Sequence, residues 1–440
     1  TFQRYLDACE KEKIKLIPRV EWGGSHNLPQ EARAIGADGN LAKPNRYAEW
    51  GTDILRPEAF DDFKALIDEM IGNNYQKYPQ LSGMLWRSRC GRTPVSYSSY
   101  DVKLFCQENN ITVPEKLKSE ADFAKWASSS GIAPKYLAWW QAKRRDFLAK
   151  ITEYLRSLRP DMKFYYYNWD GDKWSIGFSD WFVWWNIGQV DKKGNQTVYN
   201  EHIRTRKTLK NLDYAELIKN GIEKTSGAQT HNALNTDLFR ETKGLGLLAP
   251  ANYRFLSDNP EYLESFRTGE GVSVSNIITY NELNGRFINL KYETCMVIPA
   301  GPNFAMANEV FAYFHTDAKT LTYTPYTYGR GFANAHRRFA QAYLALPAIN
   351  GIVIADSTEN SDPDIKVRKY DTKNGLYIGV ANKGNTGKKL KISIPYEWND
   401  NSKIINLVSN ETVSAKFADE KISFEFESGP CQINSFMIKQ

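Results

Sequence analysis

Short apolar runs and stretches of helical spacing alternate along most of the chain. Apolar runs typical of buried strands begin near residues 14, 81, 162, 181, 245, 272 and 321. Between them the apolar residues recur at helical spacing, which predicts helices over residues 2–13, 57–72, 96–109, 120–159, 212–224, 304–315 and 333–346. This alternation predicts a mainly parallel sheet with right-handed crossovers.

The number of strand candidates indicates a barrel. Seven runs are one fewer than a (β/α)8 barrel needs, and a helix over residues 2–13 precedes the first of them. We therefore expect an α/β fold with a (β/α)8 TIM-type barrel over residues 1–348, its opening strand missing from the chain. Residues 189–210 are mostly polar, a pattern that predicts an irregular segment. An open doubly wound sheet is the alternative, although no Gly-x-Gly-x-x-Gly motif follows an early strand.

Residues 349–440 have a different pattern. Apolar and polar residues alternate one by one, and Asn-Gly and Gly-Asn pairs provide turn signals. No helical spacing occurs in this stretch. It predicts a C-terminal antiparallel β-sandwich domain.

Composition excludes several classes of protein. The net charge of +6 is spread along the chain and accompanies no recognised nucleic-acid motif, so we expect no nucleic-acid partner. The five cysteines lack CxxC spacing and the five histidines lack HExxH, so we expect neither a metal nor another cofactor. No apolar run approaches the ~18 residues of a transmembrane helix. The aromatic content of 13% exceeds ordinary usage, and this excess favours a ligand groove, although some of the rings are expected in the core.

Tryptophans and carboxylates follow the ends of several predicted strands. Glu21-Trp22 follows the first run, Trp86-Arg87 the second, Asn168-Trp169-Asp170 the third and Asn281-Glu282 a later one. An indole can cover the apolar face of a sugar ring, and a carboxylate beside it can move protons or attack the anomeric carbon. Because the active site of a (β/α) barrel lies at the carboxyl ends of its strands, this pattern predicts a sugar-processing site.

Hydrolysis of a glycosidic bond requires two carboxyl groups, and Glu282 and Asp170 are the candidates for catalysis. Glu282 could instead cap a turn or pair with Arg286, and Asp170 lies in an Asp-Gly-Asp sequence that is ordinary turn chemistry. Their separation, ~5 Å in retaining enzymes and ~6.5 to 9.5 Å in inverting ones, cannot be derived from the sequence. Glu309 lies within a predicted helix and is expected to be structural.

A wider set of strand-end residues is expected to hold the sugar, the arginines especially if it carries carboxylate or sulfate. Glu21 could orient a sugar hydroxyl or take part in catalysis. The set consists of Glu21, Trp22, Trp50, Trp86, Arg87, Asn168, Trp169, Asn281, Tyr328 and Arg330.

Several segments together resemble a known superfamily. They are "WRSRCGRTPVSYSSYDVKLFCQENN", "FAKWA", "YLAWWQAKRRDFLAKITEYLRSLRP" and, before the β domain, "RRFAQAYLALPAI". Their layout is similar to that of the retaining (β/α)8 glycoside hydrolases that include β-galactosidases and agarases. The resemblance implies a glycosidase that cleaves a β-linked poly- or oligosaccharide, and galactose-type sugars are the first substrates expected. It also implies a secreted, periplasmic or cell-surface protein.

The resemblance supports the catalytic role of Glu282 better than that of Asp170. In that superfamily the nucleophilic glutamate follows the seventh strand, which corresponds to Glu282 here. An Asn-Glu acid/base pair normally follows the fourth strand, where this chain has Asn168-Trp169-Asp170. Asp170 would have to replace the glutamate. Two alternatives therefore stay open: a catalytically decayed barrel that binds glycans, and a polysaccharide lyase with His315 or Tyr328 as base.

Overall fold

The structure is a computed structural model. It describes residues 2–42, 51–88, 93–168, 187–190, 196–200, 205–209, 242–251, 264, 267–276, 305–323, 333–355, 357–358, 361–397 and 402–439. The chain divides into two compact units. The first comprises Thr1–Val183, Asp213–Ala249 and Ser265–Glu270, and the second Trp184–Leu212, Pro250–Glu264 and Gly271–Gln440.

The helices and strands are numbered in chain order. The helices are α1 (Phe2–Lys11), α2 (Pro57–Ile67), α3 (Ser99–Glu108), α4 (Glu120–Ser129), α5 (Ala133–Leu158), α6 (Ala307–Thr316) and α7 (Ala333–Leu344). The strands up to residue 323 are β1 (Arg19–Val20), β2 (Gly83–Ser88), β3 (Lys163–Asn168), β4 (Ile187–Val190), β5 (Gln196–Asn200), β6 (Thr205–Leu209), β7 (Leu245–Ala251), β8 (Ser273–Asn276) and β9 (Thr320–Tyr323). The later strands are β10 (Ile352–Val353), β11 (Ile365–Thr372), β12 (Gly375–Asn382), β13 (Lys388–Pro395), β14 (Lys403–Asn406), β15 (Thr412–Val413), β16 (Ala415–Ala418), β17 (Lys421–Ser428) and β18 (Gln432–Lys439).

The first unit contains the predicted parallel sheet. Its strands lie in the order β1-β2-β3-β7, and every pairing is parallel. The first strand is shorter than predicted: residues 14–20 contribute only Arg19–Val20, and Leu16 forms an isolated bridge with Leu81. Pro18 explains the difference because it has no backbone N–H to donate to the ladder, although its carbonyl accepts from the N–H of Leu85 at 2.9 Å.

Helices of the first unit begin where the sequence provides caps. Pro57 opens α2, and the Ser98 hydroxyl accepts from the backbone N–H of Asp101 at the start of α3. The helix predicted over residues 120–159 is two helices. α4 begins with a capping box between Ser119 and Asp122, and the chain turns extended at Ser130 before α5.

One face of the parallel sheet packs against α2 and α5. Trp86 of β2 contacts Phe63 of α2 with ring centroids 5.2 Å apart, and Phe147 of α5 at 6.2 Å. Phe164 of β3 is also fully buried there, 6.3 Å from Phe63. Because side chains alternate along a strand, Arg87 lies on the opposite face.

The second unit contains an element that the sequence prediction missed. Residues 189–210, expected to be irregular, include the end of β4 and all of β5 and β6, and these three strands pair in that order as an antiparallel sheet. Val198 and Tyr199 provide β propensity in β5, whereas most of the surrounding residues are polar. Strands with two-sided polar patterns give little periodic signal, so the prediction was wrong here. β8 and β9 form a parallel pair, as expected.

The C-terminal sandwich agrees with its sequence pattern. One sheet has the order β10-β11-β12-β18-β14-β15 and the other β13-β17-β16, with antiparallel pairing throughout the described ladders. The Asn374-Gly375 signal lies at the hairpin that joins β11 and β12. Ile378, Ile392 and Phe436 are fully buried between the sheets.

Two helices also belong to this second unit. Tyr313 of α6 and Phe339 of α7 pack in one core cluster with Tyr370 and Ala381 of the sandwich. Arg368 of β11 donates to the carbonyl oxygens at the end of α6. The contacts therefore group residues 271–440 together, whereas the sequence predicted a boundary at residue 348. That boundary, and the closure of the parallel strands into a barrel, stay predictions.

Two predicted elements, the strand starting at residue 181 and the helix at 212–224, lie outside the described residues. Within the described ranges no helix is long and apolar enough to cross a membrane. In the same ranges no three His, Cys, Asp or Glu side chains are grouped so that they could hold a metal ion.

Candidate active site

An ion pair lies at the carboxyl end of the parallel sheet in the first unit. Nη1 of Arg87 donates to Oε1 of Glu21 at 3.1 Å, and Nη2 of Arg19 lies 3.8 Å from the same oxygen. The Arg87 side chain is 12% exposed and the Glu21 side chain 25%. Both charged groups are therefore partly shielded from water, but each side chain keeps some exposed surface.

Strand register brings these two side chains together. Val20 pairs with Trp86 in the parallel ladder, so the next residues, Glu21 and Arg87, lie side by side. Period-two alternation directs both away from α2 and α5. A guanidinium held by a carboxylate has a defined orientation, and arginine is a common partner of carboxylate and sulfate oxygens in ligand sites.

The other predicted site residues are only partly within the described structure. Asn168 is the last residue of β3 and pairs with Ser88 of β2, one residue beyond Arg87, so its backbone lies at the same edge of the sheet. The remaining predicted site residues lie outside the described ranges, and their roles stay predictions. They are Trp50, Trp169, Asp170, Asn281, Glu282, Tyr328 and Arg330.

The structure corrects the prediction for two tryptophans. Trp22 is 5% exposed and Trp86 1% exposed, so neither presents a ring face to a sugar. The Trp22 indole donates to Oδ2 of Asp62 at 2.7 Å, and the Trp86 indole donates to the carbonyl oxygen of Trp22 at 3.1 Å. Their ring centroids lie 5.5 Å apart in the cluster formed with Phe63 and Phe147. Both are core residues because alternation turns them toward the helices, opposite to Glu21 and Arg87.

Two residues considered from the sequence lie on α6 in the second unit. Glu309 is 2% exposed in its first turn, and the structural role expected for it stays a prediction. His315 is half-buried with its ring centroid 4.2 Å from Phe311 and 4.8 Å from Phe314. Burial, followed by the nearby charges of Lys366 and other cations, lowers the pKa of His315 to about 4, so the imidazole is neutral at pH 7.

A buried carboxyl pair went unnoticed in the sequence. Asp53, in the loop after β1, and Asp101, in the first turn of α3 after β2, are both 0% exposed. Ser96 donates to Oδ2 of Asp53 at 3.2 Å, and Ser98 donates to Oδ2 of Asp101 at 2.9 Å. Burial and then the charge of Asp101 raise the pKa of Asp53 well above its usual range, and burial raises the pKa of Asp101.

The pair connects the loop after β1 to the first turn of α3. Burial and the charge of Asp101 raise the pKa of Asp53, which favours a state in which one of the two carboxyl groups carries a proton. Arg56 lies 3.7 Å from Asp53 and offsets part of the charge. No local motif could have revealed this pair, because its members are far apart in sequence and only the packing of α3 brings them together.

The buried pair predicts how stability depends on pH. A carboxyl group whose pKa is raised in the folded state contributes stability that is complete below its unfolded pKa of ~3.9 and is lost as the pH rises toward the folded value. We expect Asp53→Asn, which is always neutral, to remove this loss. Relative to the parent, its free energy of unfolding should rise by up to about 1.4 kcal/mol for each pH unit within that window.

Urea unfolding between pH 4 and pH 9 measures this difference. Asp161→Asn is the matched control, since the Asp161 side chain is 70% exposed, and it should follow the parent at every pH. An Asp53→Asn protein whose free energy of unfolding differs from that of the parent by a constant amount across the range would contradict the raised pKa of Asp53.

Comparison with known proteins identifies no family. No family model matches the chain, and no curated protein matches it. Among solved structures, an α-amylase from Anoxybacillus aligns with 100% of this chain and 78% of its own at 9% identity and a TM-score of 0.42. A GH27 β-L-arabinopyranosidase from Geobacillus stearothermophilus covers 100% and 93% at 12% identity and a TM-score of 0.40. A family 30 subfamily 8 xylanase from Clostridium acetobutylicum covers 86% and 92% at 10% identity and a TM-score of 0.30. Similarity this low does not assign the chain to any of these families.

Proposed function

We propose that the protein is a glycoside hydrolase that cleaves a β-linked poly- or oligosaccharide, with galactose-type sugars as the first substrates to test. The observation that supports this most directly is the Glu21–Arg87 ion pair at 3.1 Å at the carboxyl end of a parallel sheet. Ligand sites of α/β proteins lie at this end of their strands. A guanidinium and a carboxylate are side-chain groups of the kind that recognise polar ligand atoms such as sugar hydroxyls.

In this proposal two carboxyl groups that follow other strands catalyse the reaction. Glu282, six residues after the end of β8, is the nucleophile, and Asp170, two residues after the end of β3, is the proton donor. In a retaining glycosidase one carboxyl group protonates the leaving oxygen and the other attacks the anomeric carbon. Attack by Glu282 would form a glycosyl-enzyme, so the product would retain its anomeric configuration.

One experiment separates this function from its two rivals. The purified protein is incubated with a panel of β-galactans, β-glucans, xylans and uronate-containing polysaccharides, and three signals are followed together. Reducing ends without ultraviolet absorbance indicate hydrolysis, and unsaturated products absorbing in the ultraviolet indicate a lyase. Binding without either product indicates a glycan-binding protein. Product NMR then reports the anomeric configuration, and inversion would contradict the nucleophilic role of Glu282.

The Glu21–Arg87 pair has its own expected effect. Glu21→Gln removes the charge that holds the guanidinium, at a cost of about 1.5 kcal/mol in ligand binding, because the pair is partly buried. We expect KM for the best substrate of the panel to rise ~10-fold while kcat changes much less. Steady-state kinetics measures both.

A matched control breaks an exposed ion pair instead. Glu425→Gln removes the ion-pair partner of Lys389, whose Nζ lies 2.9 Å from Oε2 of Glu425. The Glu425 side chain is 52% exposed and the Lys389 side chain 72%. It should leave both kinetic constants unchanged. Equal effects of Glu21→Gln and Glu425→Gln would show that Glu21 has no role in binding.

A further inference from the structure

The long helix α5 buries two hydrogen-bond donors on one face. Arg144 is 4% exposed and Trp140 1% exposed, and they are one helical turn apart. Nε of Arg144 and Nε1 of Trp140 have no hydrogen-bond acceptor in the part of the chain that the structure describes. A buried donor left without an acceptor is unfavourable, because it has lost its hydrogen bonds to water, so an acceptor is expected there.

The charge of Arg144 also lacks a counterion within the described ranges. One terminal nitrogen of its guanidinium donates to the hydroxyl of Tyr166 on β3. The guanidinium carbon lies 5.7 Å from the Trp140 ring centroid and 5.5 Å from the Tyr166 ring centroid. Hydroxyl and aromatic contacts stabilise a cation only in part, and a buried unpaired charge is strongly unfavourable.

The next residue increases the local positive charge. Arg145 is half-buried, and its Nε likewise has no acceptor within the described chain. Burial lowers the pKa of Arg145, an effect that the carboxylate of the exposed Asp146 offsets in part. The buried side of α5 therefore carries adjacent positive charges and unused N–H donors.

We propose that Arg144 and Trp140 bind a small monovalent inorganic anion of the halide class. Such an ion accepts hydrogen bonds from both N–H donors and neutralises the guanidinium. A divalent oxyanion would add a second charge. Arg145 is poorly placed to balance it, because it is only half-buried and its side chain leaves the helix about 100° away from that of Arg144. Because Arg144 also contacts Tyr166, the bound ion would strengthen the attachment of α5 to β3, on the face of the sheet opposite to Arg87.

Thermal unfolding of the full chain with chloride as the probe tests the proposal. The melting temperature is compared in sodium chloride and sodium gluconate at equal ionic strength, over a series of concentrations. We expect a saturable increase of about 2 to 4 °C in chloride, with bromide acting similarly. Identical curves in chloride and gluconate would overturn the proposal and would indicate that water satisfies these donors.

Variants locate the effect. Arg144→Gln should abolish the difference between chloride and gluconate, whereas Lys150→Gln, at an exposed position of α5, should retain it. Trp140→Phe keeps the ring but removes one donor, so it should raise the half-saturating chloride concentration ~5-fold even if Arg144→Gln does not fold. A chloride effect of unchanged size and midpoint in Trp140→Phe would refute this site. Anomalous scattering from bromide in crystals of the parent chain should give a peak beside Arg144, and a peak only elsewhere would also refute it.

Discussion

Glu282→Gln is expected to lower the turnover of the cleaved glycan by about 10³-fold or more. Glutamine is nearly the same size as glutamate but cannot attack the anomeric carbon or stabilise the positive charge that develops there. Binding of the glycan should survive, because the amide can still form hydrogen bonds. Initial rates of reducing-sugar release and a binding isotherm on the same substrate measure the two effects separately.

Asp170→Asn provides the second half of this test. Loss of a proton donor should slow cleavage of natural glycans by about 10² to 10⁴-fold, but much less for aryl glycosides whose leaving group needs no proton. Glu12→Gln and Asp161→Asn are the matched controls, since their side chains are 60% and 70% exposed. If Glu282→Gln retained parental turnover, the assignment of the nucleophile would be wrong, whatever the effect at Asp170.

Trp86→Ala is expected to destabilise the protein by about 3–5 kcal/mol. Its indole is 1% exposed, contacts Phe63 and Tyr166 at ring-centroid distances of 5.2 and 5.0 Å, and donates to the carbonyl oxygen of Trp22. Removal leaves a large cavity and an unsatisfied carbonyl between the sheet and α2. The midpoint of urea unfolding, followed by circular dichroism, measures the loss.

Two further variants separate packing from sugar binding. Trp86→Phe should recover much of the stability, because it refills most of the cavity, and should bind the best glycan of the panel as tightly as the parent does. Tyr5→Ala, at a residue that is 66% exposed, should change the stability little. A Trp86→Phe protein that is fully stable but no longer binds glycan would support the sugar-platform role that the sequence first suggested.

Much of the architecture could be predicted because it depends on local periodicity. Helical spacing placed α2, α3, α6 and α7, and single-residue alternation identified the sandwich together with the turn at Asn374-Gly375. The same reasoning failed where periodicity is weak. It extended the first strand through Pro18 and missed β5, whose polar residues hide the pattern.

The candidate site was predictable only in part. Register places Glu21 beside Arg87, as expected for residues at the ends of neighbouring parallel strands. Trp22 follows Glu21 directly but faces the other way, and Phe147, far along the chain, covers it. From the sequence alone, a tryptophan at a strand end is equally compatible with a groove and with a core, because the covering helix is specified elsewhere.

Spacing between near neighbours was enough to predict most of the element order, the parallel sheet, the antiparallel sandwich and the set of strand-end residues. Which of those side chains face the helices, and which carboxyl groups are buried together, became clear from the packed fold alone. It assigned Trp86 to the core, joined Asp53 to Asp101, and left Arg144 without a counterion among the described residues. Burial and pairing depend on contacts between distant segments, and those contacts exist only after the chain has packed.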